Sequence, residues 1–385
     1  MMEKKKSKVN MMSVASMIAL MVSGWVAGIE GVEISRYLFG EDGTAVNNII
    51  ICMLAVVIMF TMMFVHLVIH EAGHLIFGLI SGYDFSSFRV GNIIILKDNG
   101  KLKIKKYSIP GTGGQCIMLP PKDNGDEIPY VLYNLGGVLI NLITAILALI
   151  VLLVFGGNAI VDAALKLFIV VGVACAILNG VPMSSSQLDN DGKNIITLKK
   201  NPKARKAFAN TFSIFEKITE GKRLREIPEE LFEIEMEDKI EDSISASVII
   251  NKFMRLIDLW KLEEAMNLGE YILEHVEKIA GVHKNIVKQE MVYCMIMLDY
   301  PREKIDEMYK DKELNEYLKM AANMISTPRI QYVYSLFVEQ DEKKAKKHYD
   351  NFYKIMKSYP YEVDKKTEEE MLLKAKEHYS NKESK

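Results

Sequence analysis

The chain has 385 residues with 48 Lys and Arg against 50 Asp and Glu, a formal net charge of −2. That balance excludes the basic excess expected of a nucleic-acid-binding protein. The average conceals two unlike halves: Met, Ile, Leu, Val and Gly dominate up to about residue 181, and Lys and Glu beyond about 200. The first half reads as membrane and the second as a soluble helical domain.

Four segments are apolar for the roughly 20 residues that a bilayer crossing requires: about 11–29, 48–80, 130–155 and 158–181. The first follows Glu3-Lys4-Lys5-Lys6-Ser7-Lys8, and its long apolar stretch without a clear small-residue cleavage site predicts an uncleaved anchor rather than a secretory signal. Lysines crowd the N-terminus, the segment 81–129 and the stretch after the fourth span, whereas the 30–47 loop has only Arg36 and the Gly156-Gly157 turn has no charge. The positive-inside rule then predicts a multi-pass protein of the cell membrane with both termini cytoplasmic.

His70-Glu71-Ala72-Gly73-His74 lies at the cytoplasmic end of the second span. H-E-x-x-H on a helix puts two imidazoles one turn apart on one face, with the glutamate reaching the open side of a bound metal. Ionisable groups are costly in lipid and mark function there. The bland alternative is a set of polar groups satisfying one another between packed helices. His66 extends the stripe by another turn. It is too far along the axis to share one ion with His74, so its expected role is to orient a neighbour or line a water path.

Between spans two and three the hydrophobic period changes to two. Residues 88–96 read as a strand, Asp98-Asn99-Gly100 as a tight turn, 101–109 as a returning strand, and 115–119 as a third short strand. An open strand edge is not tolerated against lipid, so this insertion (about 87–119) must sit at the interface or be shielded, and its edge could hold an extended peptide.

A catalytic zinc needs a third protein ligand and an open position. Asp162 and Lys166 of the later spans lie toward the wrong end, whereas Asp189 and Asp191, just after span four, lie on the same side as His70 and His74. The cysteines Cys52, Cys116, Cys175 and Cys294 are far apart and contain no C-x-x-C pair, so neither a disulfide framework nor a cysteine zinc site is expected.

In the soluble half, three stretches beginning near Leu259, Asp299 and Gln340 look related, and Ala265, Ile305 and Ala345 fall about 40 residues apart. That period suggests stacked helical hairpins of the tetratricopeptide kind, a surface for a protein partner. His275, His283, His348 and His378 are scattered and form no cluster in the sequence.

From about 45 to 195 the chain resembles the site-2 protease family of intramembrane zinc metalloproteases. Its H-E-x-x-H is matched by His70 to His74, and its P-x-G-G is approximated by Pro110-Gly111-Thr112-Gly113-Gly114. Its G-P-x-x-N is matched by Gly137-Val138-Leu139-Ile140-Asn141 with valine for proline, and its N-x-x-P by Asn179 and Pro182. The final L-D-G is stretched to Leu188-Asp189-Asn190-Asp191-Gly192; keeping the aspartate beside its glycine selects Asp191, and keeping it beside the leucine selects Asp189. We favour Asp191.

Composition and hydropathy predict a mainly α fold: a polytopic bundle of about four spans with a small β-hairpin insertion, plus a C-terminal soluble all-α helical-hairpin domain. The expected organisation is an anchor and loop over 1–47, a protease core over 48–198 and a cytoplasmic helical domain over 199–385. The resemblance covers the core and does not extend to the C-terminal half. It implies Zn2+ held by His70, His74 and Asp191, with Glu71 as catalytic base. Asn141 is either a substrate or oxyanion contact or a helix-to-helix hydrogen bond. The implied substrate is a transmembrane or hydrophobic peptide in contact with membrane lipids, cut near the cytoplasmic face. The competing reading is a catalytically silent scaffold or transporter component with a structural metal; the intact Glu71 speaks against it.

Overall fold

The computed structural model describes residues 11–40, 44–98, 101–109, 112–121, 128–184, 189–233, 240, 242–276 and 281–383. The N-terminal lysines, the apex of the expected turn at Asn99-Gly100, Pro110-Gly111 and Leu188 lie outside the described residues. The chain is mostly helical and divides into two compact units: residues 1–85, 114–121 and 129–198, and residues 86–113, 122–128 and 199–385.

Among the described residues, the first unit has four helices long and apolar enough to cross a membrane: α1 (Met11–Phe39), α2 (Ala45–Ile80), α3 (Tyr130–Phe155) and α4 (Ala159–Gly180). Their outward positions carry large exposed apolar side chains such as Ile49, Met53, Phe60, Leu147 and Leu153. In water that surface would be a liability; against lipid it is the expected solvent-facing composition. α2 starts at Thr44, whose hydroxyl accepts from Asn47 N at 3.3 Å, and α4 at Asn158, whose amide oxygen accepts from Ile160 N and Val161 N. At 36 residues, α2 is about 54 Å long, well beyond a hydrocarbon core of about 30 Å, so to cross one it would have to tilt or project past the lipid.

α1 runs ten residues past the expected end of the first span, and this extension matters for packing. It carries Glu30 and Glu33, whose carboxylates lie 3.1 and 3.6 Å from Lys166 Nζ on α4. Near them, Ser35 donates to Asn48 of α2 at 2.5 Å. α2 and α3 cross at Gly73 and Gly136, where a Cβ on either residue would stand within 2.5 Å of the other's carbonyl oxygen. Only two glycines allow that backbone approach. Strand β4 (Gly114–Leu119) lies against α2 and α3: Met118 fills the space beside Gly78, and the Tyr133 hydroxyl donates to Cys116 O at 2.8 Å.

The second unit contains an antiparallel run of β1 (Asp84–Val90), β2 (Ile93–Asp98) and β3 (Lys101–Lys106), with β1 beginning at the boundary between the units. This corrects the single strand expected over 88–96. Val90 pairs with Ile93 across a two-residue Gly91-Asn92 loop, and Gly91 takes φ +57°, the left-handed conformation a tight hairpin requires.

The rest of the second unit is mainly helical among the described residues, from α5 (Asp191–Lys200, begun in the first unit) and α6 (Pro202–Thr219) to a last helix over Glu362–Glu383. Its core gathers Phe253, Val292, Tyr293, Val333 and Phe352, all fully buried. Arg329 is also buried; it donates to both Glu290 oxygens at 2.6 and 2.7 Å and to Glu368 at 2.5 Å, and its guanidinium lies over the Tyr293 ring.

Trp260, Asp299 and Gln340 all adopt positive φ, at 63°, 57° and 55°, each just past a helix end, and they recur about 40 residues apart. After the first two, the following N–H bonds back five residues, Lys261 to Leu256 and Tyr300 to Met295, closing Schellman-type caps. Ala265, Ile305 and Ala345, the residues that suggested the period, are all buried.

Candidate metal centre

His70 and His74 lie one turn apart in the last three turns of α2, and both rings are buried. Their Nε2 atoms are 3.2 Å apart. Asp191, first residue of α5, brings its Oδ2 to 3.2 Å from His70 Nε2 and 3.6 Å from His74 Nε2. The three residues form a group able to hold a metal ion, and Asp189 is not a member of it.

Chain geometry explains how Asp191 arrives there. Asn190, which sequence reasoning passed over, ties the loop after α4 to the start of α5. Its amide donates to Leu178 O at 2.7 Å and Val181 O at 2.6 Å, and its oxygen accepts from Met183 N and Lys193 N, each at 3.0 Å. Gly192 lets α5 approach α4, since a Cβ there would lie 2.1 Å from Gly180 O. The glycine beside the aspartate is therefore a steric requirement of this corner.

The donor set fits a divalent cation. His74 Nδ1 is 2.7 Å from the carbonyl oxygen of Tyr133, which can only accept, so the ring's hydrogen sits on Nδ1 and the Nε2 lone pair faces the cluster. Burial alone would raise the Asp191 carboxyl, but the adjoining imidazoles, when they carry a hydrogen toward it, pull it down to about 2, and a cation at the same point would act in the same sense. Its Oδ2 is buried without a hydrogen-bond partner. Tetrahedral zinc with ligands near 2.0–2.1 Å holds its donor atoms about 3.3 Å from one another, close to the 3.2, 3.2 and 3.6 Å found here.

Glu71 follows His70 on the same buried stretch, against Gly114 at the start of β4. On the opposite side, Gly137 makes room for the His70 ring, because a Cβ there would lie 2.3 Å from His70 Cε1. Asn141, one turn further along α3, has its amide between His66 Nδ1 at 3.2 Å and His70 Nδ1 at 3.4 Å. The motif residues from three separate helices thus converge on one buried space. Two contributors, Asn190 and the Tyr133 carbonyl, carried no signal in the sequence beyond an unremarkable polar turn and an aromatic helix start.

A family model described as peptidase family M50 matches residues 58–338, which include His70, Glu71, His74, Asn141 and Asp191. The chain belongs to that family, the site-2 protease family. Membership implies a membrane-embedded metalloprotease, and zinc is the metal the family implies. No curated protein and no solved structure matches the chain.

Proposed function

We propose that this M50 member is an intramembrane zinc endopeptidase that cuts a membrane protein or small hydrophobic peptide near the cytoplasmic face. The observation that carries the reading is the convergence of His70 Nε2, His74 Nε2 and Asp191 Oδ2 on one point beside Glu71, inside an apolar helical bundle.

His70, His74 and Asp191 would hold the zinc through two neutral imidazoles and one carboxylate, leaving one position open. Zinc supplies Lewis acidity and the ability to acidify water toward neutral pH. Glu71 takes the proton from the attacking water and returns it to the leaving nitrogen as the peptide bond breaks. The substrate must be extended at the scissile bond, because a helical segment keeps its amides in its own hydrogen bonds.

The distribution of lysines supports a multi-pass topology with both termini in the cytoplasm, which puts the site toward that face. The helical unit, with its recurring turns at Trp260, Asp299 and Gln340, is read as a tetratricopeptide-like docking module for a protein partner. Crosslinking from the exposed Met320 in native membranes tests this; a protein adduct is expected, and its absence contradicts the reading.

Glu71→Gln tests the enzymatic reading. It keeps the volume and the zinc-binding residues but removes the base. The expected result is zinc retained at one per chain with an uncut membrane peptide accumulating in cells. An unchanged membrane-peptide profile would favour a scaffold.

A further inference from the structure

The zinc reading uses two of the three histidines on the α2 stripe, yet His66 is the most deeply buried of them, at 0% exposure. Asn141 is equally inaccessible at 0%. His66 Nε2 lies 2.8 Å from Phe168 O on α4, and its ring occupies space kept open by Gly172, where a Cβ would stand 2.5 Å from Cε1. A fully buried imidazole and a fully buried amide, linked to each other and to His70, form a connected chain from Phe168 O to the metal cluster.

The positions of the protons follow from the fixed end. A carbonyl oxygen only accepts, so His66 carries its hydrogen on Nε2. In the neutral ring Nδ1 is then an acceptor and needs a donor, which the Asn141 NH2 can supply. The structure places Oδ1 at the His66 end and Nδ2 at the His70 end. The two ends of an amide are nearly isosteric, and the network decides between them.

Left as drawn, His66 would have to be a cation with no carboxylate against it, at a site with no exposure, a costly state. His70 would also carry its hydrogen on Nε2, aimed into the cluster where a lone pair is required. Turning the amide resolves both conflicts together. Asn141 Nδ2 donates to His66 Nδ1, and His70 Nδ1–H donates to Asn141 Oδ1, freeing the His70 Nε2 lone pair. Tyr133 O does the same for His74.

We infer that His66 and Asn141 are positioning residues that fix the tautomer and orientation of His70 for metal binding, with the chain anchored on Phe168 O. This rests on the zinc reading above and assigns Asn141 away from contact with substrate or oxyanion. Outer partners of metal-bound histidines are worth about 10–100-fold in metal affinity.

The test is zinc affinity, by chelator competition on the purified full-length chain, for the unaltered protein, Asn141→Leu, Asn141→Asp and His66→Leu. Asn141→Leu is expected to weaken zinc about 10–100-fold. Asn141→Asp, which keeps an oxygen facing His70 Nδ1, should retain affinity within a few-fold. His66→Leu, one step removed, should lose less than Asn141→Leu. Nitrogen-15 NMR of histidine-labelled, zinc-loaded unaltered chain should show His66 neutral with hydrogen on Nε2 and His70 with hydrogen on Nδ1. That measurement needs no substitution, so it stands even if Asn141→Leu fails to fold. Zinc bound equally well by every variant, with only turnover lost in Asn141→Leu, would overturn the relay and leave the protease reading standing. An unaltered chain that binds no zinc would overturn both.

Discussion

The carboxylate of Glu71 occupies the space that a side chain on residue 114 would need: a Cβ built on Gly114 would stand 2.6 Å from Glu71 Oε1. Strand β4 is pinned nearby through Tyr133 and Met118, so the strand cannot simply step back. Gly114→Ala should therefore displace the base rather than the zinc-binding residues. Peptidase activity is expected to fall by about 100-fold or more, as a displacement of about 1 Å can cause, with zinc content unchanged. Gly24→Ala, where nothing lies within 4 Å, should leave both unaltered. Zinc analysis and a cleavage assay on both variants check this.

Asn190→Ala removes a side chain that makes four hydrogen bonds across the corner between α4 and α5. Nothing in that substitution touches the imidazoles. It should nevertheless loosen Asp191 and weaken zinc about 10–100-fold, the size of effect expected for an outer residue that orients a ligand. Chelator competition measures it; undiminished affinity would show that the corner holds its shape without Asn190.

Asp364 should give the helical unit a pH dependence, in the same sense as its buried neighbour Glu368, whose carboxyl is also raised. Burial raises the Asp364 carboxyl, the charge of Glu368 adds to this, and the Tyr359 hydroxyl only partly opposes it, leaving the group at about 7. The folded chain then holds a proton that the unfolded chain releases near the ordinary carboxylate range, about 4. Folding stability consequently falls as pH rises from about 4 to about 7 and is level above that. Asp364→Asn should flatten this slope and raise the melting temperature at pH 8 more than at pH 5. Thermal unfolding of both proteins at the two pH values tests it.

What the sequence revealed and what it hid divide along physical lines. Spans are set by length and apolar composition, so α2, α3 and α4 are readable from local residues alone, and H-E-x-x-H fixes its own geometry through helical spacing. The continuous apolar run Ile93-Ile94-Ile95-Leu96 obscured the boundary between β1 and β2. The Gly91-Asn92 pair was the available turn signal. Glu30 and Glu33 looked like loop residues because their partner, Lys166, is more than a hundred residues away. The contribution of Asn190 was equally hidden, since it acts through four backbone groups whose proximity exists only after α4 and α5 have folded together.

The most direct measurement is the zinc content of purified Asp191→Ala set beside Asp189→Ala. The cluster is closed by Asp191 Oδ2, 3.2 Å from His70 Nε2, and Asp189 is outside it. One zinc per chain should remain in Asp189→Ala and be lost from Asp191→Ala. Zinc retained in Asp191→Ala, or lost only from Asp189→Ala, would contradict the account.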